Sequence, residues 1–368
     1  MVKLESQKKL FERINVGAIF LKNRVGLAPM TRTSATPEGL ATEQMAEYYA
    51  SFARGGFGFV ITEGTYTDQL YSQCYFNQPG LINEEQAIAW KKVVDTVHEA
   101  DAAIIVQLEH AGALSQGNRF RSQNLAPSEV QPKGDPLAFY GGADKFSTPM
   151  SATKQDIEQV IQGFVESAIR AKAVGFDGVE IHGANGYLLD QFLTDYTNER
   201  SDEYGGTTEN RVRLLIEVST AVRKAVGPNF TVGIRISQAK VNDYIHKWGG
   251  GEADAKVIFG GLGQTGIDYI HVTEYKAWKP AFEENGPSLV QLAKKYAGTI
   301  VIANGQLEDP LKASAIITDD KADLVTLGRG ALANHDWVTK VKEGKQLAEM
   351  REDKILRPDA TIKDFEIL

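Results

Sequence analysis

Eight short apolar segments recur along the chain, and each is followed by a stretch with the pattern of a helix. The segments are rich in Val and Ile without polar alternation, which is typical of strands covered on both faces. They are Val25–Ala28, Phe57–Thr62, Ala103–Leu108, Asp177–His182, Thr231–Ile236, Tyr269–Val272, Thr299–Ala303 and Ala322–Leu327. Eight strand–helix units predict a (β/α)8 TIM barrel. A doubly wound open sheet is the alternative, but no Gly-x-Gly-x-x-Gly follows the first strand.

The helices between these strands have readable ends. Thr42 precedes Glu43–Arg54, Asn83 opens a helix that runs to Ala100, and Thr153 with Asp156 starts one that runs to Ala173. Such residues accept hydrogen bonds from the free N–H groups of a first helical turn. Further helices are predicted at Asn210–Val226, Ser288–Tyr296, Asp309–Ile317 and His335–Lys342, and a weaker one at Gly251–Gly263.

We predict that residues 1–368 form one domain. Three segments of it do not fit the repeating strand–helix unit. Phe11–Leu21 reads as a hairpin that would plug the N-terminal end of the barrel. Residues 111–151, after the third strand, are too long and too rich in Gly, Pro, Ser and Asn for an ordinary connection. We expect this insertion to cap the C-terminal face, with Phe139, Tyr140 and Phe146 as a roof; a surface excursion is the alternative. Residues 346–368 form a tail.

Composition narrows the classes of partner. The net charge of −8 and a pI near 5.4 argue against nucleic acid or an anionic membrane as partner. Cys74 is the one cysteine, so we expect neither an internal disulfide nor a cysteine-ligated iron–sulfur or zinc site, and we predict no metal. Met1–Ser6 contains no apolar run and no stretch is long enough to span a bilayer, so we expect a cytoplasmic protein without a signal peptide.

A polar cluster follows the fourth strand. His182, Asn185 and Tyr187 are separated by Gly183 and Gly186, which allow sharp turns of the backbone. An imidazole, a carboxamide and a phenol at one strand end can bind a substrate oxygen and supply a proton. A buried, hydrogen-bonded turn is the structural alternative.

Residues at the ends of four other strands indicate a ligand that carries both an anionic group and a polar ring. Asn304-Gly305 and Gly328-Arg329 follow strands seven and eight, where many barrels bind phosphate. Gln107 and Arg235 are predicted to face inward, where polar groups are costly without partners, and a flavin ring would satisfy both. The alternatives are tight turns with Arg329 in a surface ion pair, and an Arg235 paired with Glu63 or Glu180.

Several motifs together resemble the Old Yellow Enzyme family. They are Leu27-Ala28-Pro29-Met30-Thr31-Arg32, Thr62-Glu63-Gly64-Thr65, Gln107-Leu108-x-His110, His182-x-x-Asn185-Gly186-Tyr187-Leu188, Gln191-Phe192-Leu193, Asn198-x-Arg200-x-Asp202-x-Tyr204-Gly205-Gly206, Glu209-Asn210-Arg211, Gly328-Arg329 and Ala333-Asn334. They run in family order from about Leu10 to Lys345. The resemblance implies an FMN-dependent barrel that takes hydride from NADH or NADPH and reduces activated C=C bonds of α,β-unsaturated carbonyl compounds (enones).

The resemblance also implies roles for individual residues. Hydride would pass from flavin N5 to the β-carbon, while His182 and Asn185 bind the carbonyl oxygen and Tyr187 protonates the α-carbon. Gln107 and Arg235 would contact the pyrimidine side of FMN, and Thr31 its C4 oxygen. The implied cofactor-binding set is Pro29, Met30, Thr31, Gly64, Gln107, His182, Arg235, Asn304, Gly305, Gly328 and Arg329.

Some features stay open at this point. Thr31 stands where many relatives have Cys, so the flavin potential does not follow, and Tyr75 is either an active-site tyrosine or a packed one. A non-redox phosphate-binding lyase or isomerase is the alternative function, but the candidate Schiff-base residues Lys240 and Lys276 are predicted to lie in loops. NADH and NADPH stay open as alternative reductants, and a monomer and a homo-oligomer as alternative assemblies.

Overall fold

The computed structural model, which describes residues 7–367, contains a closed barrel of eight parallel strands. The barrel strands are β3 (Val25–Leu27), β4 (Phe59–Tyr66), β5 (Ala103–Glu109), β8 (Gly178–Asn185), β9 (Thr231–Lys240), β10 (Tyr269–Thr273), β11 (Ile300–Asn304) and β12 (Leu324–Leu327). They pair in this order, and β12 closes on β3. The predicted barrel is confirmed, and each predicted strand overlaps one of these eight. Met1–Ser6, on which the expectation about a signal peptide rests, lies outside the described residues.

Helices connect the strands. The α-helices are Glu43–Arg54, Glu84–Glu99, Lys154–Ala173, Leu188–Leu193, Thr208–Arg211, Arg213–Val226, Glu252–Gly263, Leu289–Ala297, Pro310–Thr318, Arg329–Ala333, Trp337–Glu343 and Glu352–Ile355. Thr42, Asn83 and Thr153 accept the expected capping hydrogen bonds. Local polar signals therefore set these helix starts.

Two helix boundaries differ from the predictions. The predicted helix Asn210–Val226 is two helices that meet at Val212, because Thr207 caps a separate first turn. The last predicted helix begins at Trp337 rather than at His335. The His335 ring stacks on Phe52 with the ring centroids 4.0 Å apart, and it hydrogen-bonds Ser51. That packing holds His335 ahead of the helix.

The N-terminal hairpin lies where the sequence predicts it. Strands β1 (Ile14–Val16) and β2 (Ile19–Leu21) pair antiparallel. The buried side chains of Val16, Ile19 and Leu21 form one apolar cluster with residues of the barrel strands, namely Phe59, Ile61, Ile105, Tyr269, Ile302 and Leu324. The Thr231 hydroxyl joins the hairpin to β9 by donating to the Val16 carbonyl. The hairpin therefore covers the N-terminal end of the barrel.

The insertion contains a short two-stranded sheet, and the tail packs against the barrel. Within the insertion, β6 (Leu125–Ala126) pairs with β7 (Met150–Ser151). Arg32, in the loop after β3, binds the tail: its guanidinium forms a buried, bidentate ion pair with Glu366. No helix between residues 7 and 367 is long and apolar enough to cross a membrane.

Candidate active site

The turn after β8 brings the predicted catalytic side chains together. Asn185 adopts a positive φ of 63°, a conformation that Asn tolerates better than most residues, and its backbone N–H donates to Ser237. The next residue, Gly186, has a φ of 90°, and its N–H donates to the buried carboxylate of Asp190. His182, Asn185 and Tyr187 consequently line one cavity at the C-terminal end of the barrel.

Lys240 supports this turn from behind. It is the last residue of β9, so the expectation that it lies in a loop was wrong. Its ammonium group is buried and binds both oxygens of Asp190, at 2.7 and 2.8 Å. A lysine held as a charged partner in this way is not a free amine for a Schiff base.

Most of the predicted cofactor-binding residues line the same cavity as the catalytic three. They are Pro29, Met30, Thr31, Gly64, Gln107, His182, Arg235 and Arg329. They lie on, or directly after, six of the eight barrel strands, far apart in sequence. The barrel topology thus gathers them at one end, as it does in barrel enzymes generally.

Two residues that line this cavity each have a buried nitrogen atom without a hydrogen-bond partner among the described residues: Nδ1 of His182 and Nε of Arg235. Buried polar groups are normally satisfied, so each of these atoms indicates a missing partner such as a ligand. Arg235 donates instead from Nη2 to Thr273 and Asn304. Among the described residues it forms no ion pair with Glu63 or Glu180. The alternative prediction, in which Arg235 forms an ion pair with one of these two glutamates, is therefore wrong.

Glu180 orients the carboxamide of Gln107. The carboxylate accepts from Gln107 Nε2 at 2.8 Å and pairs with His271 at 2.9 Å. Gln107 therefore turns its amide nitrogen toward Glu180 and keeps its oxygen free to accept from a ligand.

The predicted phosphate residues fall into two groups. Arg329 lines the cavity but is largely exposed, and it pairs with Glu352 of the tail at 3.1 Å. Gly328 precedes it, next to Met30. Asn304 and Gly305 do not line the cavity; Asn304 reaches it through its hydrogen bond to Arg235. A Cβ on Gly305 would lie 1.9 Å from the Glu274 carbonyl oxygen, so local crowding alone requires this glycine.

Tyr187 is paired with a second tyrosine. Its hydroxyl lies 2.9 Å from that of Tyr75, and both side chains are buried. Burial raises the pKa of each phenol well above its ordinary value, so both hold their protons at any physiological pH. The structure thus places Tyr75, which the sequence left open, beside the predicted proton donor.

His182 is held in its neutral form. Burial, reinforced by the positive charge of Arg235, lowers its pKa well below its usual range. A neutral imidazole has one N–H donor and one acceptor nitrogen. The ring can therefore donate one hydrogen bond to a ligand oxygen.

Sequence reasoning missed Glu109 and Gln78. Glu109 ends β5, lines the cavity, and accepts a hydrogen bond from Gln78 at 2.8 Å. A signal for Glu109 was available, because residues two apart on a strand share a face and Gln107 was predicted to point inward. Gln78 lies in the loop after β4 and gave no such signal.

The insertion and the tail complete the cavity wall. Tyr140 of the insertion lines the cavity together with Thr31, and Phe146 is buried in a cluster that includes Tyr187. Phe139 faces the tail instead, with its ring under the guanidinium of Arg357. Leu356 of the tail also lines the cavity.

The sequence model of the NADH:flavin oxidoreductase / NADH oxidase family matches residues 9–348. The chain belongs to this family. The predictions of the Old Yellow Enzyme family and of an FMN-dependent NAD(P)H oxidoreductase are thereby confirmed.

Relatives support the same assignment. The chain is 33% identical to 12-oxophytodienoate reductase 7 of Oryza sativa subsp. japonica, over 97% of this chain and 94% of the relative. It is also 33% identical to NADH oxidase of Thermoanaerobacter brockii, over 92% of this chain, but it spans only 51% of that longer protein. These named relatives are redox enzymes, and they lend no support to a lyase or isomerase.

Solved structures agree. The old yellow enzyme homologue from Zymomonas mobilis superposes with a TM-score of 0.83 at 31% identity, covering 93% of this chain and 94% of the other. Morphinone reductase in complex with tetrahydroNAD superposes with a TM-score of 0.82 at 31% identity, covering 92% of each chain.

Proposed function

We propose that the chain is an ene-reductase whose active site is the cavity bounded by His182, Asn185, Tyr187, Gln107 and Arg235. The observation that carries the proposal is that one cavity is lined by the neutral phenol of Tyr187 and by His182 and Arg235, each of which has a buried nitrogen atom without a hydrogen-bond partner among the described residues. FMN, reduced by NADH or NADPH, supplies the hydride in such a site.

The donor set fits FMN. Arg235 offers a fixed positive charge and an unused Nε–H, and Gln107 offers a free carboxamide oxygen. Together they match the edge of a flavin ring, which carries both hydrogen-bond acceptors and donors. We propose Thr31 and the backbone of Pro29, Met30 and Gly64 as further contacts of the ring. For the phosphate we propose Asn304, Gly305, Gly328 and Arg329; Arg329 would then exchange Glu352 for the phosphate.

His182 and Asn185 are proposed to hold the carbonyl oxygen of an enone. Negative charge grows on this oxygen when the neighbouring alkene is reduced. Preorganised donors in a site that excludes water stabilise such charge strongly. A neutral His182 donates one hydrogen bond and the Asn185 amide a second.

Tyr187 is proposed to protonate the substrate carbon. Its raised pKa keeps the proton in place until a strong base, the reduced substrate, removes it. Tyr75, at 2.9 Å, then donates to the phenolate that is left. The hydrogen bond between Tyr75 and Tyr187 therefore fixes the orientation of the proton donor and stabilises the phenolate that forms when Tyr187 has lost its proton.

An absorption spectrum with a phenol titration tests this proposal. The purified protein is expected to show flavin bands, and a simple phenol is expected to add a long-wavelength charge-transfer band. In His182→Ala the flavin bands stay while the phenol affinity falls by about 10- to 100-fold, the equivalent of one hydrogen bond to a charged group. A colourless protein that takes up no FMN would contradict the proposal. Unchanged phenol affinity in the variant would remove His182 from the site.

The enone substrate class, a cytoplasmic location and a possible homo-oligomer remain predictions of the sequence.

A further inference from the structure

Glu109 lies inside the proposed active site, and the reaction outlined above does not use it. The side chain is buried, with Oε2 3.7 Å from Nε2 of His182. The same oxygen occupies space that a side chain at position 64 would fill, since a Cβ on Gly64 would lie 2.2 Å from it. The fold thus makes room for a carboxyl group beside the proposed oxyanion donor.

Gln78 determines which oxygen of Glu109 can carry a proton. Its Oε1 accepts the backbone N–H of Cys74 at 2.7 Å, so the other end of the carboxamide is the NH2 group. That group donates to the Gly64 carbonyl and to Glu109 Oε1, each at 2.8 Å. Because Oε1 accepts, a proton on the carboxyl group belongs on Oε2, the oxygen that faces His182.

The neighbours of Glu109 favour its neutral form. The titratable groups around it are Glu63 from β4, Cys74 and Tyr75 from the following loop, Tyr140 from the insertion, and His182 and Tyr187 from β8 and its turn. His182 is the one base in this set, and it is itself neutral. Burial, with the nearby Glu63, raises the pKa of Glu109 to about 8.

The protonation state of Glu109 decides what the cavity offers to a ligand oxygen beside His182. Oε2 lies 3.7 Å from Nε2 of His182, beyond hydrogen-bonding distance, so a protonated Oε2 can donate its proton to a ligand instead. An ionised Oε2 can only accept, and it adds a negative charge that repels an oxyanion.

We propose that Glu109 is a binding residue whose protonated carboxyl group donates a hydrogen bond to the ligand oxygen beside His182, and whose ionised form repels that oxygen. Oxyanion ligands would then bind together with a proton on Glu109. This inference rests on the proposed function of His182 and Asn185.

A titration of the FMN-loaded enzyme with pentafluorophenol tests the inference. This phenol is anionic from about pH 7 to about pH 10, so its own ionisation does not enter. In the wild type the dissociation constant, read from the flavin spectrum, is expected to rise above about pH 8 by up to about tenfold per pH unit. Glu109→Gln mimics the protonated carboxyl in shape and donor, so its dissociation constant should change less than about twofold over the same range.

Glu63→Gln is the matched control, because Glu63 is the neighbouring buried carboxyl group whose pKa burial raises to about 7. The pH dependence of binding should survive in this variant. A wild type without pH dependence, a Glu109→Gln enzyme that keeps it, or a Glu63→Gln enzyme that loses it would each overturn the role of Glu109 and leave the proposed function standing. Failure of the wild type to bind the phenolate at any pH would overturn both.

Discussion

At the scale of single residues, Tyr187 and Tyr75 share one hydrogen bond but have different proposed tasks. Tyr187→Phe removes the acid, and enone reduction should slow by about 10²–10⁴-fold, the usual contribution of a positioned acid. The rate of flavin reduction by NAD(P)H should stay the same, because no proton from Tyr187 enters that step. Stopped-flow measurement of the two half-reactions separates them.

Tyr75→Phe is the control for this prediction. It removes the partner of Tyr187 but leaves the acid, so enone reduction should slow by only about two- to tenfold. Equal losses in the two variants would mean that the pair acts as one unit. An unchanged rate in Tyr187→Phe would assign proton donation to another group.

Glu109 makes a further prediction at this scale, about stability. Its pKa is about 8 in the folded protein, and in the unfolded chain a glutamate ionises near about 4.3. Between these values the unfolded chain releases a proton that the folded chain keeps, so this group lowers the stability as the pH rises.

The glutamine in Glu109→Gln cannot ionise, so this variant should not lose stability at this position as the pH rises. Relative to the wild type, its free energy of unfolding should be higher by a few kcal/mol at about pH 8 and similar at about pH 4. Denaturant unfolding at the two pH values measures the difference. A variant that is equally destabilised at both would show that Glu109 is ionised in the folded state.

At the scale of elements, the C-terminal tail is held by two ion pairs of very different burial. Arg32–Glu366 is buried, whereas Arg329–Glu352 is exposed. Glu366→Ala leaves the guanidinium of Arg32 buried without its partner and should cost about 3–5 kcal/mol of stability. Since Leu356 of the tail lines the cavity, FMN should also dissociate faster, as measured by flavin fluorescence after dilution.

Glu352→Ala breaks the exposed pair and should cost less than about 1 kcal/mol. A Glu366→Ala protein as stable as the Glu352→Ala protein would show that the tail is not anchored through Arg32.

The elements themselves were largely predictable from the sequence, and the site only in part. Strand–helix alternation and the caps at Thr42, Asn83 and Thr153 are local signals, and the structure follows them. The partners of Arg32 and of Glu109 are not local: Glu366 lies 334 residues from Arg32, and Gln78 lies in a loop without a pattern. Long-range pairing of this kind has no signature in one sequence.

At the scale of the whole molecule, the barrel separates stability at one end from chemistry at the other. Ile19 is buried in the hairpin that covers the N-terminal end, and Ile19→Ala should lower the free energy of unfolding by about 2–5 kcal/mol. The affinity for phenols should not change, because the ligand site lies at the opposite end. Phe20, on the same strand, is 64% exposed, so Phe20→Ala should have little effect on either quantity.

Parallel measurement of thermal unfolding and phenol binding checks this separation. A change of phenol affinity in Ile19→Ala would mean that the two ends of the barrel are coupled.

The buried pair between Arg32 and Glu366 also has a consequence for biosynthesis. A ribosome makes Arg32 early and Glu366 more than three hundred residues later. The tail wall of the cavity, including Leu356, can close only after residue 366 has left the exit tunnel. The barrel strands can pair during translation, but the tail cannot enclose the cofactor until residue 366 has been made, and a chain that stalls before that residue would have an open cavity from which FMN escapes.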